Sequence, residues 1–518
     1  MDFIQQIRQF MAQENINFLL VNSTNQFLVE YNDLQENSRY KLTGFTGSAG
    51  ESLVTPDKIF LFVDGRYHIQ ADLEVDPEKV IVVKLQSGEN IYNAIIDKVP
   101  QDEILGVFSK KISQKTYEFL SQYRRIKLIQ NDPLDVDVAD ISHGNISLDT
   151  TLAGLSTDEK IEIISKNLKP DEALYVTDLD EVSYLFNMRN YSQNFSAKIK
   201  AKAIVYKNKA TLFLPENLDS LKNFLESADF EICVDKNSIN AYDYNLIKKP
   251  KELSQNPLKE MKSVKNDVEL YHMQEVFHRC DDALCAVRDY IYSQNDLSEY
   301  DIAAQLEKEF RNRGALGLSF KPIVAKDQNS ALAHYSKSSK GEILKDGSLI
   351  LIDCGAYFEN GIATDMTRVF VKGEPKKLHI KIYTLVLKAF LNAYNYEKRP
   401  VVGFDIDERV RELFEEYDTE GFVFNHGLGH GIGINVHEYP PNLGSGEIAK
   451  CQILEGMCFS IEPGLYKKGE FGVRLENSCY FKNNKINSFT KMNFEKKLID
   501  FEMLTTKEAQ WLKEFEVI

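Results

Sequence analysis

The first 255 residues alternate between short amphipathic helical patterns and short apolar strand patterns. This alternation occurs twice, and each series begins with a helix followed by a strand. The predicted helices are 3–14, 158–167 and 181–187, and the predicted strands are 17–21, two around 52–63, 173–177 and a hairpin over 203–213. We therefore expect two successive α/β domains of related design.

The pattern changes after Pro257. Two long helical runs are predicted over residues 266–293 and 299–313, the second preceded by the helix-capping residue Ser298. Strands follow, and they carry most of the chemically telling residues. We therefore expect an α+β catalytic domain after the two α/β domains. The expected domain limits are 1–145, 146–255 and 256–518.

Composition fits a multidomain globular enzyme. A chain of 518 residues is too long for one hydrophobic core, and 43% hydrophobic with 27% charged residues is typical of folded proteins. The formal net charge of −16 argues against a nucleic-acid partner, since such proteins usually carry a basic stripe.

Targeting signals and cysteine usage bear on location. The first ten residues lack the unbroken apolar core of a signal peptide, and no apolar run reaches membrane-spanning length. The seven cysteines are scattered, without paired spacing, which indicates reduced thiols. These features predict a cytoplasmic protein without a membrane partner.

Two carboxylates are predicted on neighbouring strands. Asp353 ends the apolar run 349–353, and Asp365 lies in the next strand, 363–371, with the hairpin signal Asn360-Gly361 between them. A two-residue turn there would set Asp353 opposite Arg368 and point Asp365 to the other face of the sheet. We therefore predict a bulge or a wider loop at this turn.

A second pair of carboxylates has the same design. Strands 459–462 and 472–476 flank a loop centred on Gly469, so Glu462 and Glu476 should lie directly opposite each other. A single buried carboxylate is more often part of a structural ion pair. Four around one pocket would repel one another unless cations neutralise them, which favours a divalent metal site.

Histidines strengthen the case for metal. Residues 334–476 hold five of the nine histidines of the chain. The spacing of His426 and His430 would suit a helical zinc site, but the alternating glycines around them make a strand or loop the better prediction. An oxygen-rich pair of sites suits manganese, cobalt or zinc.

Five motifs then carry a family resemblance. In chain order they are Asp-Cys-Gly at 353–355, Thr-Asp-Met-Thr-Arg at 364–368, His-Gly-Leu-Gly-His-Gly at 426–431, Ile-Glu-Pro-Gly-Leu-Tyr at 461–466 and Gly-Val-Arg-Leu-Glu-Asn at 472–477. This order resembles the "pita-bread" metallopeptidases of the creatinase and aminopeptidase P family. Segments 44–50 and 64–67, and more weakly 180–189, resemble the two leading domains of its three-domain Xaa-Pro aminopeptidases. The resemblance implies two creatinase-like α/β domains before a pita-bread catalytic domain.

The resemblance also implies roles for single residues. Asp365 and Glu476 would bridge two metal ions, most simply Mn²⁺, with Asp353 completing one ion and His430 with Glu462 the other. His334 and His437 would be catalytic and would contact substrate, and Glu462 would share in the catalysis. His426 would line the pocket beside the substrate proline, and Arg474 would orient a bridging carboxylate.

One departure from the family pattern stands out. Twelve positions separate Asp353 from Asp365, whereas the family usually has one fewer. The extra residue fits the bulge or wider loop already inferred. It affects the shape of that loop and not the identity of the ligands, because both flanking strands keep their motifs.

The resemblance implies an activity and several alternatives. The activity is removal of the first residue from peptides with proline in second position, by an enzyme that forms homodimers. A prolidase acting on dipeptides is the nearest rival, but it usually lacks one leading domain, and a methionine aminopeptidase usually lacks both. A metal-free creatinase-like hydrolase or binding module is disfavoured because all five ligands are present.

Overall fold

The computed structural model describes residues 2–86, 88–135 and 143–515. The chain forms two compact units. The first comprises Met1–Ser147, Leu155–Ser192 and Lys198–Leu258, and the second comprises Leu148–Gly154, Gln193–Ala197 and Lys259–Ile518. The mixed α/β fold predicted from the sequence is confirmed.

The first unit begins with a six-stranded mixed sheet in the order β4-β3-β2-β1-β5-β6. Its strands are β1 Phe18–Val21, β2 Glu51–Val54, β3 Ile59–Val63, β4 Val80–Lys84, β5 Ile104–Phe108 and β6 Arg125–Ile129. Its helices are α1 Phe3–Gln13, α2 Ser38–Thr43, α3 His68–Glu74, α4 Ile91–Ile96 and α5 Gln114–Ser121. Successive strand residues alternate between two cores, as Leu19 and Leu20 do, so apolar layers cover both faces.

A second sheet in the same unit has the order β11-β10-β8-β12-β13, and β7 pairs with β9 separately. The strands are β7 Ile146–Ser147, β8 Glu172–Val176, β9 Met188–Arg189, β10 Lys202–Tyr206, β11 Lys209–Phe213, β12 Glu231–Val234 and β13 Pro250–Glu252. The helices are α7 Thr157–Ser165, α8 Leu179–Leu185, α9 Leu218–Ser227 and α10 Ala241–Leu246. The predicted second α/β series is therefore present.

Two long helices open the larger part of the second unit. Its helices are α6 Thr150–Ala153, α11 Pro257–Ser263 (which begins in the first unit), α12 Asp267–Ser293, α13 Glu299–Asn312, α14 Lys377–Tyr394, α15 Gly403–Glu416 and α16 Thr506–Leu512. Asn266 and Ser298 cap α12 and α13 with side-chain hydrogen bonds to the third backbone N–H, as the sequence predicted for Ser298.

The strands of the second unit form a three-stranded sheet, a five-stranded sheet and two paired ribbons, with orders β15-β16-β18, β20-β19-β21-β24-β25, β14-β17 and β22-β23. Their bounds are β14 Gly317–Leu318, β15 Ile323–Lys326, β16 Leu349–Cys354, β17 Ala356–Tyr357, β18 Met366–Val371, β19 Gly429–Gly431, β20 Glu438–Leu443, β21 Cys458–Ile461, β22 Gly464–Tyr466, β23 Gly472–Arg474, β24 Asn477–Lys482 and β25 Lys485–Ser488. Short 3₁₀ turns cover Pro215–Asn217, Asp327–Ala331, Glu447–Lys450, Lys496–Leu498 and Lys513–Phe515.

Within the described ranges, every helix is too short or too polar to cross a lipid bilayer. All seven cysteines are free thiols, and five of them are buried.

Candidate metal centre

The first carboxylate pair depends on the register between β16 and β18. Asp353 lies opposite Thr367, one residue away from the pairing with Arg368 that a two-residue turn would give. Asp365 precedes Thr367 by two residues, so Asp353 and Asp365 share one face of the sheet. The wider loop predicted from the sequence is therefore confirmed.

The second pair lies where two ladders meet. Ile461 pairs with Asn477 and Gly464 with Arg474 in one register, which places Glu462 opposite Glu476 as predicted. Glu476 also joins the first hairpin, since its N–H donates to the carbonyl of Thr367 at 3.2 Å. The two pairs thus converge on one place.

His430 reaches this place from β19. Its Nε2 lies 3.5 Å from Oδ2 of Asp365 and 3.4 Å from Oε1 of Glu462. One ligand atom from each of Asp365, His430 and Glu476 lies within 4.8 Å of the other two. Gly429, the residue before His430, has no room for a side chain, because a Cβ there would lie 2.0 Å from the carbonyl oxygen of Ser460.

The orientation of the His430 ring is fixed by its other nitrogen. Nδ1 donates to the carbonyl of Gly431 at 3.0 Å. This bond leaves the lone pair of Nε2 directed at the carboxylates. The arrangement is the one that a metal-binding imidazole requires.

Burial opposes the ionisation of three carboxylates in the cluster, and repulsion between neighbouring carboxylates adds to this effect. Burial, followed by repulsion from Glu476, raises the pKa of Asp365 well above its usual range. Burial, followed by repulsion from Glu462, does the same to the pKa of Glu476. Burial raises the pKa of Glu462 itself to about 7. The cluster therefore resists full ionisation without added positive charge.

Arg474 supplies one positive charge and binds several groups of the site. Its Nη2 donates to Oδ2 of Asp353 at 2.6 Å, and its Nε donates to Oγ1 of Thr367 at 3.2 Å. Thr367 in turn donates to Oε2 of Glu476 at 2.6 Å. Arg474 thereby orients one carboxylate directly and another through Thr367.

Two carboxylate oxygens test whether a cation fits. Oδ1 of Asp353 and Oε1 of Glu476 are buried, and neither has a hydrogen-bond donor within the described part of the chain. Buried acceptors are normally satisfied, and carboxylate oxygen is a ligand that hard divalent cations prefer. The residues present therefore fit a metal site.

The three remaining predicted residues lie around this cluster. The ring of His437 lies 4.4 Å from that of His430, centroid to centroid. Nε2 of His426 is 2.9 Å from the hydroxyl of Tyr466. His334 follows Ala333, whose carbonyl accepts from Nη1 of Arg474 at 3.3 Å. The structure thus brings His426 and His437 into one region with the cluster, and it ties the residue before His334 to Arg474.

Three polar neighbours of the site received no role from the sequence. Tyr466 accepts a hydrogen bond from Nη1 of Arg474 at 2.8 Å, and Ser460 donates to Oε1 of Glu462 at 3.2 Å. The third is Thr367. A period of two along the strand was the signal for Ser460 and Thr367, since each lies two residues from a carboxylate on the same face.

Cys354, which follows Asp353, does not belong to the cluster. It packs with Ile350 and Ile352 in one apolar core, whereas Leu349 and Leu351 belong to another. Its thiol therefore lies on the face of β16 opposite to Asp353, because successive side chains of a strand point to opposite faces.

Comparison with family models assigns most of the chain. Residues 271–483 match metallopeptidase family M24, and residues 4–134 and 141–232 match two creatinase/prolidase N-terminal domains. The class defined by the fold and the site is that of a metal-dependent hydrolase. The chain belongs to the M24 metallopeptidases that carry creatinase-type N-terminal domains.

Individual relatives extend over nearly the whole chain. Xaa-Pro aminopeptidase 1 of Dictyostelium discoideum is 27% identical, covering 99% of this chain and 91% of the relative. A probable Xaa-Pro aminopeptidase P of Coprinopsis cinerea is 28% identical, with 98% and 93% covered. The solved X-prolyl aminopeptidase of Caenorhabditis elegans, described as a cytosolic enzyme with a di-nuclear active site, has a TM-score of 0.90 at 22% identity over 99% and 94% of the two chains. That likeness shows the shared fold.

Proposed function

We propose that the chain is an Xaa-Pro aminopeptidase that uses two divalent metal ions to hydrolyse the bond before a penultimate proline. The observation that carries the proposal is the group of four carboxylates gathered with His430. The pKa values of Asp365, Glu462 and Glu476 are raised, and one buried oxygen each of Asp353 and Glu476 has no donor in the described ranges. The activity of relatives matched over nearly the whole chain supports the choice of substrate.

The geometry of the cluster supports the ligand assignment that the family resemblance implies. Asp365 and Glu476, the two least exposed carboxylates, would bridge the ions. Asp353 would complete one ion, and His430 with Glu462 the other, since Nε2 of His430 lies near Oε1 of Glu462. Mn²⁺ is the proposed metal because five ligands, four of them carboxylates, suit a hard cation.

The next two roles are activation of water and transfer of its proton. Bound divalent cations lower the pKa of a shared water, so that hydroxide becomes available near neutral pH. Glu462 would hold a proton from the reacting water, and its exposure supports this role, since 18% of its side chain is exposed, the largest fraction among the four carboxylates.

The histidines would bind substrate and stabilise charge. His334 and His437 would donate hydrogen bonds to the tetrahedral oxyanion, which is worth about 2.7 to 4 kcal/mol per donor in comparable sites. His426 would line the pocket for proline, held by the hydroxyl of Tyr466. Arg474 would keep Asp353 in position through their hydrogen bond.

Location, assembly and domain limits complete the proposal. The enzyme would act in the cytoplasm as a homodimer, on free peptides rather than on nucleic acid or membranes. Its domains would be 1–145, 146–255 and 256–518.

A peptide panel tests the proposed function. Protein saturated with Mn²⁺ is given Arg-Pro-Pro, the dipeptide Ala-Pro and the control Arg-Ala-Pro, before and after chelation. Release of arginine from Arg-Pro-Pro alone, abolished by the chelator and restored by Mn²⁺, is the expected result. Cleavage of Ala-Pro alone would identify a prolidase, and no metal-dependent cleavage would refute the proposal.

A further inference from the structure

The carboxylate of Glu299 is buried away from the metal ligands. Glu299 is the first residue of α13 and is 0% exposed. A buried charge of this kind needs several donors. The four donors to its two oxygens are the N–H of Lys326 at 2.7 Å, Nδ2 of Asn329 at 2.8 Å, the hydroxyl of Tyr335 at 2.7 Å and the N–H of Ser339 at 2.9 Å.

All four donors belong to one segment, residues 326–339, which also contains His334. Of these four residues, Tyr335 is the nearest to His334 in sequence, because it directly follows His334 along the chain. Burial, followed by the hydrogen bond to Glu299, raises the pKa of the Tyr335 hydroxyl, so it stays protonated and can donate. Glu299 therefore holds the segment at points before and after His334.

The residue on the other side of His334 is also held. The carbonyl of Ala333 accepts from Arg474 at 3.3 Å, and Arg474 contacts the proposed metal ligand Asp353. His334 thus lies between one residue fixed to the metal-site arginine and one fixed to Glu299. Residues 332–338 form no helix or strand. The N–H of Tyr335 donates to the carbonyl of Leu332 at 3.1 Å, so a single turn closes around His334, and the side-chain bonds hold this turn in place.

We propose that Glu299 and Tyr335 are positioning residues that fix the backbone on either side of His334 and so place its imidazole for the reaction. This inference rests on the proposed function, which gives His334 its role. Displacement of a reacting group by about 1 Å can cost about a hundredfold in rate, so a loosened loop should be visible in kinetics.

The test substitution is Tyr335→Phe, which removes one hydroxyl and keeps the ring. Loss of this hydrogen bond should lower kcat/KM for Arg-Pro-Pro about tenfold, mainly through kcat. The matched control is Tyr394→Phe, because the Tyr394 hydroxyl donates to Glu514 at 2.7 Å in the same unit. The control should keep the wild-type kinetic constants. Equal kinetics for Tyr335→Phe and wild type would overturn the proposal.

A double-substitution cycle separates positioning from general stability. If Tyr335 acts through His334, Tyr335→Phe should have no further effect on kcat/KM in a His334→Ala background. An undiminished tenfold loss in that background would mean that Tyr335 acts otherwise, and the proposal would fail.

A spectroscopic measurement keeps the inference testable apart from activity. In protein with ¹³C-labelled histidine, the imidazole Cε1–H signal of His334 is assigned by its loss in His334→Ala. Tyr335→Phe should shift or broaden that signal and leave those of His272 and His278 unchanged. An unchanged His334 signal would refute the positioning role. If wild type cleaves no Xaa-Pro peptide, the proposed function fails, and this signal alone still decides whether Tyr335 holds the His334 loop.

Discussion

Two groups of carboxylates, one in each unit, have different partners. In the first unit Asp132 accepts from Lys111 at 2.8 Å, Asp135 binds the same lysine, and Asp243 pairs with Lys202. In the second unit four carboxylates gather around Arg474, which contacts Asp353. The Asp243–Lys202 pair is neutral as it stands. The group around Arg474 has an excess of negative charge, which bound cations would offset.

Two glutamates show the same contrast in their titration. Burial pushes the pKa of both upward, but hydrogen bonds from Lys251 and from the N–H of Lys169 outweigh it at Glu172, whose pKa falls to about 2. At Glu462 burial prevails, and the pKa rises to about 7. The partner, and not burial alone, therefore sets the direction of the pKa shift at these two glutamates.

The largest expected effect comes from removing a proposed bridging ligand. Asp365→Asn should lower kcat/KM at least about a thousandfold, because the ions lose their shared carboxylate. The melting temperature of the metal-free variant should be no lower than that of metal-free wild type, because the substitution removes one of the mutually repelling carboxylate charges. Peptide kinetics, metal analysis and calorimetry check this. Retained activity with wild-type metal content would contradict the assignment.

A smaller loss is expected from Arg474→Lys. Lysine keeps the charge but cannot donate at once to Asp353, Thr367 and Tyr466, as the guanidinium does. Activity or Mn²⁺ affinity should fall about 10- to 100-fold. The control is Arg279→Lys, because Arg279 binds Glu359 through two nitrogens without touching the cluster. Equal losses of activity or of Mn²⁺ affinity in Arg474→Lys and Arg279→Lys would contradict a specific role of Arg474 at the metal site.

The pH dependence of metal-free stability should carry the signature of Glu462. A folded-state pKa of about 7, above the usual 4.5, gives a contribution that is fully present below 4.5 and is lost as pH rises through 7. Chelated wild type should therefore lose stability relative to Glu462→Gln between pH 5 and pH 8. Thermal melts at each pH measure the difference, and parallel curves would contradict it.

The smallest effect should come from the structural carboxylate. Glu172→Gln removes the charge that Lys251 binds, so the free energy of unfolding should fall by about 1 kcal/mol at neutral pH, and the loss should shrink on acidification toward pH 2. Metal content and kcat should not change. A change in metal content or in kcat would contradict the purely structural role of Glu172.

The sequence predicted much of the second unit because the relevant signals are local. Apolar runs located the strands, and the twelve-residue interval between Asp353 and Asp365 required a register that only a wider loop provides. Symmetry about Gly469 placed Glu462 opposite Glu476. The division into three domains and the individual ligand roles stay predictions.

The contacts that depend on tertiary packing were not predictable. Tyr466 stands in a motif that the sequence singled out, yet its bonds to Arg474 and His426 arise only when β22, β23 and the glycine-rich segment meet. Glu299 lies 35 residues before His334 and outside every motif. Neither strand period nor helix period relates these positions, so their roles needed the fold.

The central claim is that the carboxylate cluster holds two metal ions, and direct counting tests it. Chelator-treated protein is titrated with Mn²⁺ in a calorimeter, in parallel with His430→Ala and Asp365→Asn. The account predicts two Mn²⁺ per wild-type chain, one for His430→Ala because one ion keeps its carboxylates, and fewer than two for Asp365→Asn. Wild-type protein that binds one ion or none would contradict it.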